Sequence, residues 1–227
     1  MCEMLALTSN QPLDMKQTLT WARLLEELGV ASYGWGMAWV DDSGLHRYRS
    51  VLGLKYDQHA WDVLGQVATH RAFIHLRRPS LMSSQSHLNA QPYCDPEGTF
   101  AFAHNGFLSR HREYRPDFSD QLKGTSDSEV GYLYWLQQLS LGQPFAKSLV
   151  ATHQALKGHA NFMALSAQGQ LAVYAGNHEN PCYSFRIGSI NLSSTGLHSL
   201  DDYVFDALFP QATNIKEISY GTAIELP

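Results

Sequence analysis

The second residue of this chain is a cysteine, placed where a single residue can do covalent chemistry almost unaided. The small side chain of Cys2 permits removal of Met1, and Cys2 then carries both a thiol and a free α-amine. An α-amine titrates at ~7.7–8.0 and a thiol at ~8.5, so near neutral pH the neutral amine can take the thiol's proton, directly or through one water. The result is a nucleophile with its own base. Taken alone, a cysteine at position two reads as an ordinary residue of a frayed terminus, and the rest of the chain has to decide.

Few other residues offer chemistry by spacing. The eleven histidines form no His-x-x-x-His pair with a nearby acid and no Cys-x-x-Cys setting, so no metal is expected, and no cofactor. Cys2, Cys94 and Cys182 are an odd number without a pairing pattern, which argues against a disulfide framework and for a reducing compartment. The N-terminus has neither a basic nor an apolar signal region, and no apolar run approaches the ~18 residues of a membrane span. A cytoplasmic protein away from the membrane is the expectation. A net charge of −5 and a pI near 6.1, with basic stretches no longer than Arg77-Arg78 and residues 110–115, argue against a nucleic-acid surface.

The elements that must position Cys2 follow from pattern. At 44% hydrophobic residues the 227-residue chain can bury a sizeable core, and no linker, charge block or repeat divides it, so one domain over residues 1–227 is expected, less Met1. Glu3–Thr8 reads as a strand covered on both faces. Met15–Leu28 has apolar residues three or four apart and Gly29 behind it, an amphipathic helix with its C-cap. A glycine-opened strand over residues 34–40 ends at an Asp41-Asp42-Ser43-Gly44 turn into residues 45–50. Residues 61–68 read as a short helix and Arg71–Leu76 as a buried strand. Loop follows to Gly98, then a strand over residues 99–103 that stops at His104-Asn105-Gly106, where Asn-Gly is ordinarily a hairpin turn. Residues 127–139 form a helix with Ser126 as N-cap and Glu129 at the capping-box position, and a second helix follows Pro144 to Leu156, closed by Gly158. Strands over residues 161–166, 170–175, 183–187, 190–194 and 217–226, with a short helix at 201–208, complete the chain. Hairpin-like strand runs and paired helices suggest antiparallel sheets with helices outside, an α+β layering.

Cys2, His75-Leu76-Arg77-Arg78-Pro79-Ser80, Ala103-His104-Asn105-Gly106 and Thr125-Ser126-Asp127-Ser128-Glu129, together with Gly34-Trp35-Gly36, stand in an order that resembles the class II glutamine amidotransferases of the N-terminal nucleophile (Ntn) hydrolase superfamily, in their small stand-alone form. The resemblance implies a four-layer α/β/β/α sandwich of two antiparallel sheets. It also implies that Cys2 attacks the γ-carboxamide of glutamine to give a thioester and ammonia. The Asn105 side-chain amide and the Gly106 backbone N–H would form the oxyanion hole. Arg77 would hold the substrate α-carboxylate in a bidentate grip and Asp127 its α-ammonium. Without the other motifs Arg77 reads as a surface arginine at a strand end, and Asp127 as a first-turn helix acid favoured by the macrodipole. His75 and His104 read as structural hydrogen-bonding residues.

Two departures from the family pattern stand out. Ala31-Ser32-Tyr33 occupies the place of His-x-Asp before Gly34-Trp35-Gly36, and Asn89-Ala90-Gln91-Pro92-Tyr93 carries glutamine where the pattern has histidine. The activity implied is cleavage of glutamine or a related γ-glutamyl amide, with water or a separate ammonia-accepting subunit as acceptor, since no synthase segment is expected beyond Pro227. A catalytically silent relative that binds glutamine or a partner is the alternative.

Overall fold

The computed structural model describes residues 2–196 and 202–227, with the side chain of residue 202 left aside. Its strands are β1 (Glu3–Thr8), β2 (Trp35–Asp41), β3 (Gly44–Ser50), β4 (Arg71–Leu76), β5 (Tyr93–Cys94), β6 (Phe100–Leu108), β7 (Gly158–Ser166), β8 (Leu171–Ala175), β9 (Cys182–Ile187), β10 (Ile190–Thr195), β11 (Thr213–Glu217) and β12 (Thr222–Glu225). The helices are α1 (Met15–Leu28), α2 (Gln58–Leu64), α3 (His111–Tyr114), α4 (Asp127–Ser140), α5 (Phe145–Leu156) and α6 (Asp202–Leu208). The strands form two sheets, β11-β9-β10-β1-β4-β2-β3 and β12-β8-β7-β6-β5, and the described pairings are antiparallel.

Alternation along the strands sorts the core into three slabs. Leu5 and Leu7 of β1 and Ala72, Ile74 and Leu76 of β4 pack with Leu19, Ala22 and Leu25 of α1 and with Phe205 and Phe209 at α6. Met4, Ala6 and Phe73 point the other way, against Ala101, Ala103, Met163 and Val173 of the smaller sheet. Phe102, Phe162 and Tyr174 on that sheet's far side pack under Val130 and Trp135 of α4 and Leu149 and Leu156 of α5. Helices, sheet, sheet and helices make the four-layer α+β sandwich that the resemblance implies.

Several elements differ from the sequence reading. The strand expected to stop at His104 runs through Asn105 and Gly106 to Leu108, paired with β7 throughout, Asn105 opposite Asn161 and Gly106 opposite Ala160. A long partner strand outweighs the local turn tendency of Asn-Gly. The helix expected at 61–68 lies at Gln58–Leu64, started by Asp57, whose carboxylate caps Ala60. The stretch 217–226 is two strands in different sheets, split by a turn at Gly221 (φ +78°). Ser126 does cap α4, but Glu129 accepts from the N–H groups of Lys123 and Gly124 instead of closing a capping box. At the end of α5 both Lys157 (φ 54°) and the expected closing residue Gly158 (φ 104°) have positive φ. The expected start of the last helix, at residue 201, lies outside the described residues.

Gly36 shows why a glycine sits in the middle of β2. A Cβ there would stand 2.3 Å from Gln91 O, 2.6 Å from Tyr48 O and 2.9 Å from Pro92 Cδ, so the strand passes directly beneath the 91–92 peptide. Two of the three obstacles are backbone and cannot swing aside. Gly36→Ala should cost about 1–3 kcal/mol, seen as a fall in Tm of roughly 2–12 °C for a domain of this size. Calorimetric melting of the variant checks it, and an unchanged Tm would contradict the close approach.

Candidate active site

The strand that carries Cys2 has neighbours on both sides, β10 and β4. Glu3 lies opposite Leu76, so Cys2 falls beside the residues that follow β4. The Arg78 backbone N–H donates to Cys2 Sγ at 3.3 Å, and Sγ lies 3.7 Å from the Arg78 carbonyl. Desolvation pushes the half-buried thiol's pKa up, while the Arg78 N–H and the Arg77 guanidinium pull against that rise.

The Cys2 carbonyl is held from the other sheet. Asn105 Nδ2 donates to it, and Asn180 Nδ2 reaches the same oxygen at 3.4 Å. Asn105 cannot flip, because its Oδ1 accepts from Asn161 Nδ2 at 3.1 Å and Asn177 Nδ2 at 3.5 Å, leaving its donor end for Cys2. Asn161 also donates to Asn180 O at 2.7 Å and accepts the N–H groups of Gly176 and Asn177. Asn180 donates to the Glu3 carboxylate at 3.1 Å, which the Thr195 hydroxyl also reaches. These side chains are buried, and mutual pairing is what lets polar groups stay there. Next to Asn105, Gly106 has φ +126° and would place a Cβ 1.9 Å from His159 O, a position closed to any side chain.

Arg77 and Asp127 arrive from different layers. Arg77 extends the sheet past β4, its N–H bonded to Gly34 O at 2.8 Å and its carbonyl accepting from Tyr33 N–H at 3.1 Å. Its Nη2 donates to Ser84 O at 2.8 Å and Ser84 Oγ at 3.2 Å. Asp127, the first residue of α4, accepts from Leu108 N–H at 2.9 Å. Cys2, Arg77, Gly106 and Asp127 line one cavity of 290 Å³, with Asn105 fully buried against the Cys2 carbonyl.

The rim is stapled by residues whose roles depend on partners distant in sequence. Asn89 Nδ2 donates to Ser84 O and Thr125 Oγ1, and its Oδ1 accepts the N–H groups of Thr125 and Ser126. One side chain thus joins the loop behind Arg77 to the start of α4. Gln91 accepts the His104 N–H at 2.6 Å and donates to His104 O and Ser128 Oγ, both at 3.2 Å. At the position where the family pattern has histidine, the amide pairs with the β6 backbone as another peptide group would. His75 Nε2 meets His104 O at 3.2 Å and so bridges the two sheets. Burial holds His75 down at about 3 and pushes His104 below its ordinary value, so both rings are neutral at pH 7. Glu3 is a buried carboxylate close enough to Cys2 to raise its pKa.

Asn161, Asn177, Asn180, Glu3 and Thr195 do not stand out in the sequence. Asn177 and Asn180 fall in a Gly-Asn-rich stretch that reads as a turn, and only the β6–β7 register brings Asn161 to Asn105.

The guanidinium of Arg77 favours the thiolate of Cys2, so its removal should move the thiol's pKa up. Alkylation of Cys2 followed by mass spectrometry across pH 6–10 should give a midpoint for Arg77→Gln above that of the unaltered protein. A lower midpoint would show that Arg77 does not act on the sulfur.

The family model for class-II glutamine amidotransferases matches residues 1–180. No curated protein matches the sequence. Among solved structures, the glutamine phosphoribosylpyrophosphate amidotransferase of B. subtilis, complexed with ADP and GMP, is similar with a TM-score of 0.76 and 18% identity, over 99% of this chain and 47% of that one. The chain therefore spans about half the length of that enzyme. A glutamine aminotransferase class-II domain protein of Silicibacter pomeroyi has a TM-score of 0.64 and 17% identity over 99% and 98% of the two chains. A predicted glutamine amidotransferase of Pseudomonas aeruginosa has a TM-score of 0.56 and 14% identity over 99% and 96%. The structural likenesses establish a shared fold, and the family match extends from the cysteine at position two to the last asparagine of its buried network: this chain belongs to the class-II glutamine amidotransferases.

Proposed function

We propose that the protein is an amidohydrolase that cleaves the γ-carboxamide of glutamine, or of a related γ-glutamyl amide, through Cys2. The observation that carries this reading is the convergence of a cysteine sulfur, an arginine, a carboxylate and a glycine backbone on one cavity. Removal of Met1 frees the α-amine of Cys2, which takes the thiol proton as the sulfur attacks the γ-carbonyl carbon. The negative charge that develops on the carbonyl oxygen is met by the Gly106 N–H and by the second N–H of the Asn105 amide, the first being bound to the Cys2 carbonyl. The amide C–N bond breaks, the proton passes to the departing ammonia or amine, and water releases glutamate from the thioester. Arg77, with one amino group on Ser84, offers its remaining donors to the α-carboxylate, and Asp127 pairs with the α-ammonium.

In this reading residues 2–227 act as one domain without cofactor or metal, and the ammonia goes to solvent or to a separate accepting subunit. Among the described residues no helix is long and apolar enough to cross a membrane. The cysteines Cys2, Cys94 and Cys182 are free, in keeping with work in the cytoplasm.

Two variants separate chemistry from recognition. Asn105→Ala should lower kcat by roughly 10²–10³ with KM little changed, because its donor is aimed at charge present only in the transition state. Asp127→Asn should lower kcat/KM on γ-glutamyl substrates by roughly ten- to a hundredfold through one lost charge-assisted bond, yet leave des-amino analogues nearly unaffected. Equal damage by Asp127→Asn to both substrate types would reduce Asp127 to a helix-terminal residue.

A further inference from the structure

Once Arg77 and Asp127 are assigned to the amino-acid head of the substrate, the cavity still holds charge that the head does not use. Arg78 and Arg112 line it as well, and Asp127 is the only carboxylate among the described lining residues. Neither extra guanidinium has an ion pair or a side-chain hydrogen bond among the described residues. The neighbours of Arg112 differ in this respect. Arg110 is paired with Glu113 and bonded to Ala155 O, and Arg115 holds the carbonyls of Gly124 and Ser126. In a protein of net charge −5, two uncommitted arginines at one opening are a local excess of positive charge.

The same opening also carries exposed apolar side chains. Leu81 and Phe107 line it while 69% and 52% exposed, and the His111 ring packs edge-on against Phe107 at 5.7 Å. Ammonia as the leaving group would use neither feature. An amine bearing only an apolar group would use Leu81 and Phe107 and leave both arginines unmatched. An α-amino acid with an apolar side chain answers both.

We propose that the leaving group is an α-amino acid, so that the substrates are γ-glutamyl amino acids or short γ-glutamyl peptides whose free carboxylate is held by Arg112 and Arg78. This rests on the amidohydrolase reading and extends it. In the first step Cys2 Sγ bonds to the γ-carbonyl carbon, the C–N bond breaks, and the amino acid leaves with the proton that the thiol had given to the α-amine. Water then opens the thioester, releasing glutamate and restoring the thiol.

The test compares γ-glutamyl-leucine with its leucine carboxamide, which differs only in the charge at the carboxyl end. A carboxylate paired with partly exposed arginines should favour the acid by about tenfold in kcat/KM. Arg112→Gln should bring the acid-to-amide ratio close to one, and Arg112→Lys should restore part of it. Arg112 is exposed, so the fold should tolerate both changes. Calorimetric titration of Cys2→Ala with the two compounds measures the same preference without turnover. Acid-preferring binding there together with no hydrolysis by the unaltered enzyme would keep the carboxylate site and overturn the amidohydrolase reading. Equal binding and equal cleavage of acid and amide, or a preference that survives in Arg112→Gln/Arg78→Gln, would overturn the carboxylate site and leave the amidohydrolase reading standing.

Discussion

The hydrogen bond from the Asn105 amide to the Cys2 carbonyl is the contact on which this site depends. A chain end is ordinarily the least ordered part of a domain, since ordering each residue costs about 1–2 kcal/mol of backbone entropy with few contacts to offset it. Here the residue before the middle strand of one sheet is gripped by a side chain from the other. Cys2 and Asn105 are 103 positions apart in sequence, and their bond ties one sheet to the other. With the carbonyl fixed, the Arg78 backbone can fix the sulfur, and the thiol faces the cavity that Arg77 enters from the neighbouring strand of the same sheet and Asp127 from the helix layer.

Asparagine suits this task because it donates and accepts from one rigid amide and brings no charge into the interior, where an unpaired ion is costly. Asn105, Asn161 and Asn180 form a relay: Asn161 Nδ2 donates to the Asn105 amide oxygen and to the Asn180 backbone carbonyl, and the Asn180 side chain reaches the Cys2 carbonyl. Glu3 is the carboxylate at the end of that relay, bonded by Asn180 and Thr195. Its charge raises the pKa of Cys2 in the same direction as burial does, and Arg77 opposes both. The resting sulfur is therefore a thiol, and its proton must be handed to a base during the attack. Neither His75 nor His104 bonds to the sulfur, and both are already engaged with other elements of the site. In the proposed mechanism the base is the α-amine of Cys2, freed by loss of Met1.

What could be read from the sequence was what local patterns carry. The apolar repeat of α1, the buried run of β1 and the Ser126 cap of α4 are decided within a few residues, and they lie where their patterns indicate. Asn105-Gly106 misleads because its turn tendency is local while its partner Asn161 lies 56 positions away. The last strand stretch divides because Gly221 turns the backbone from one sheet toward the other, a change of partner that composition does not announce. Gln91 looks like a loss when compared with a histidine pattern, yet its amide is fully used in pairing with the His104 peptide and Ser128. The five residues singled out by motif, Cys2 among them, stand together at one site, whereas the asparagines around Asn105 are placed there by strand register and not by a local pattern.

The most direct test of the account is the mass of the purified protein before and after incubation with an electrophilic glutamine analogue, with the modified residue located by peptide sequencing. The account predicts a chain that has lost Met1 and gains one adduct, carried by Cys2 alone. A chain that keeps Met1 and leaves Cys2 unmodified, or that takes the adduct on Cys94, would contradict it.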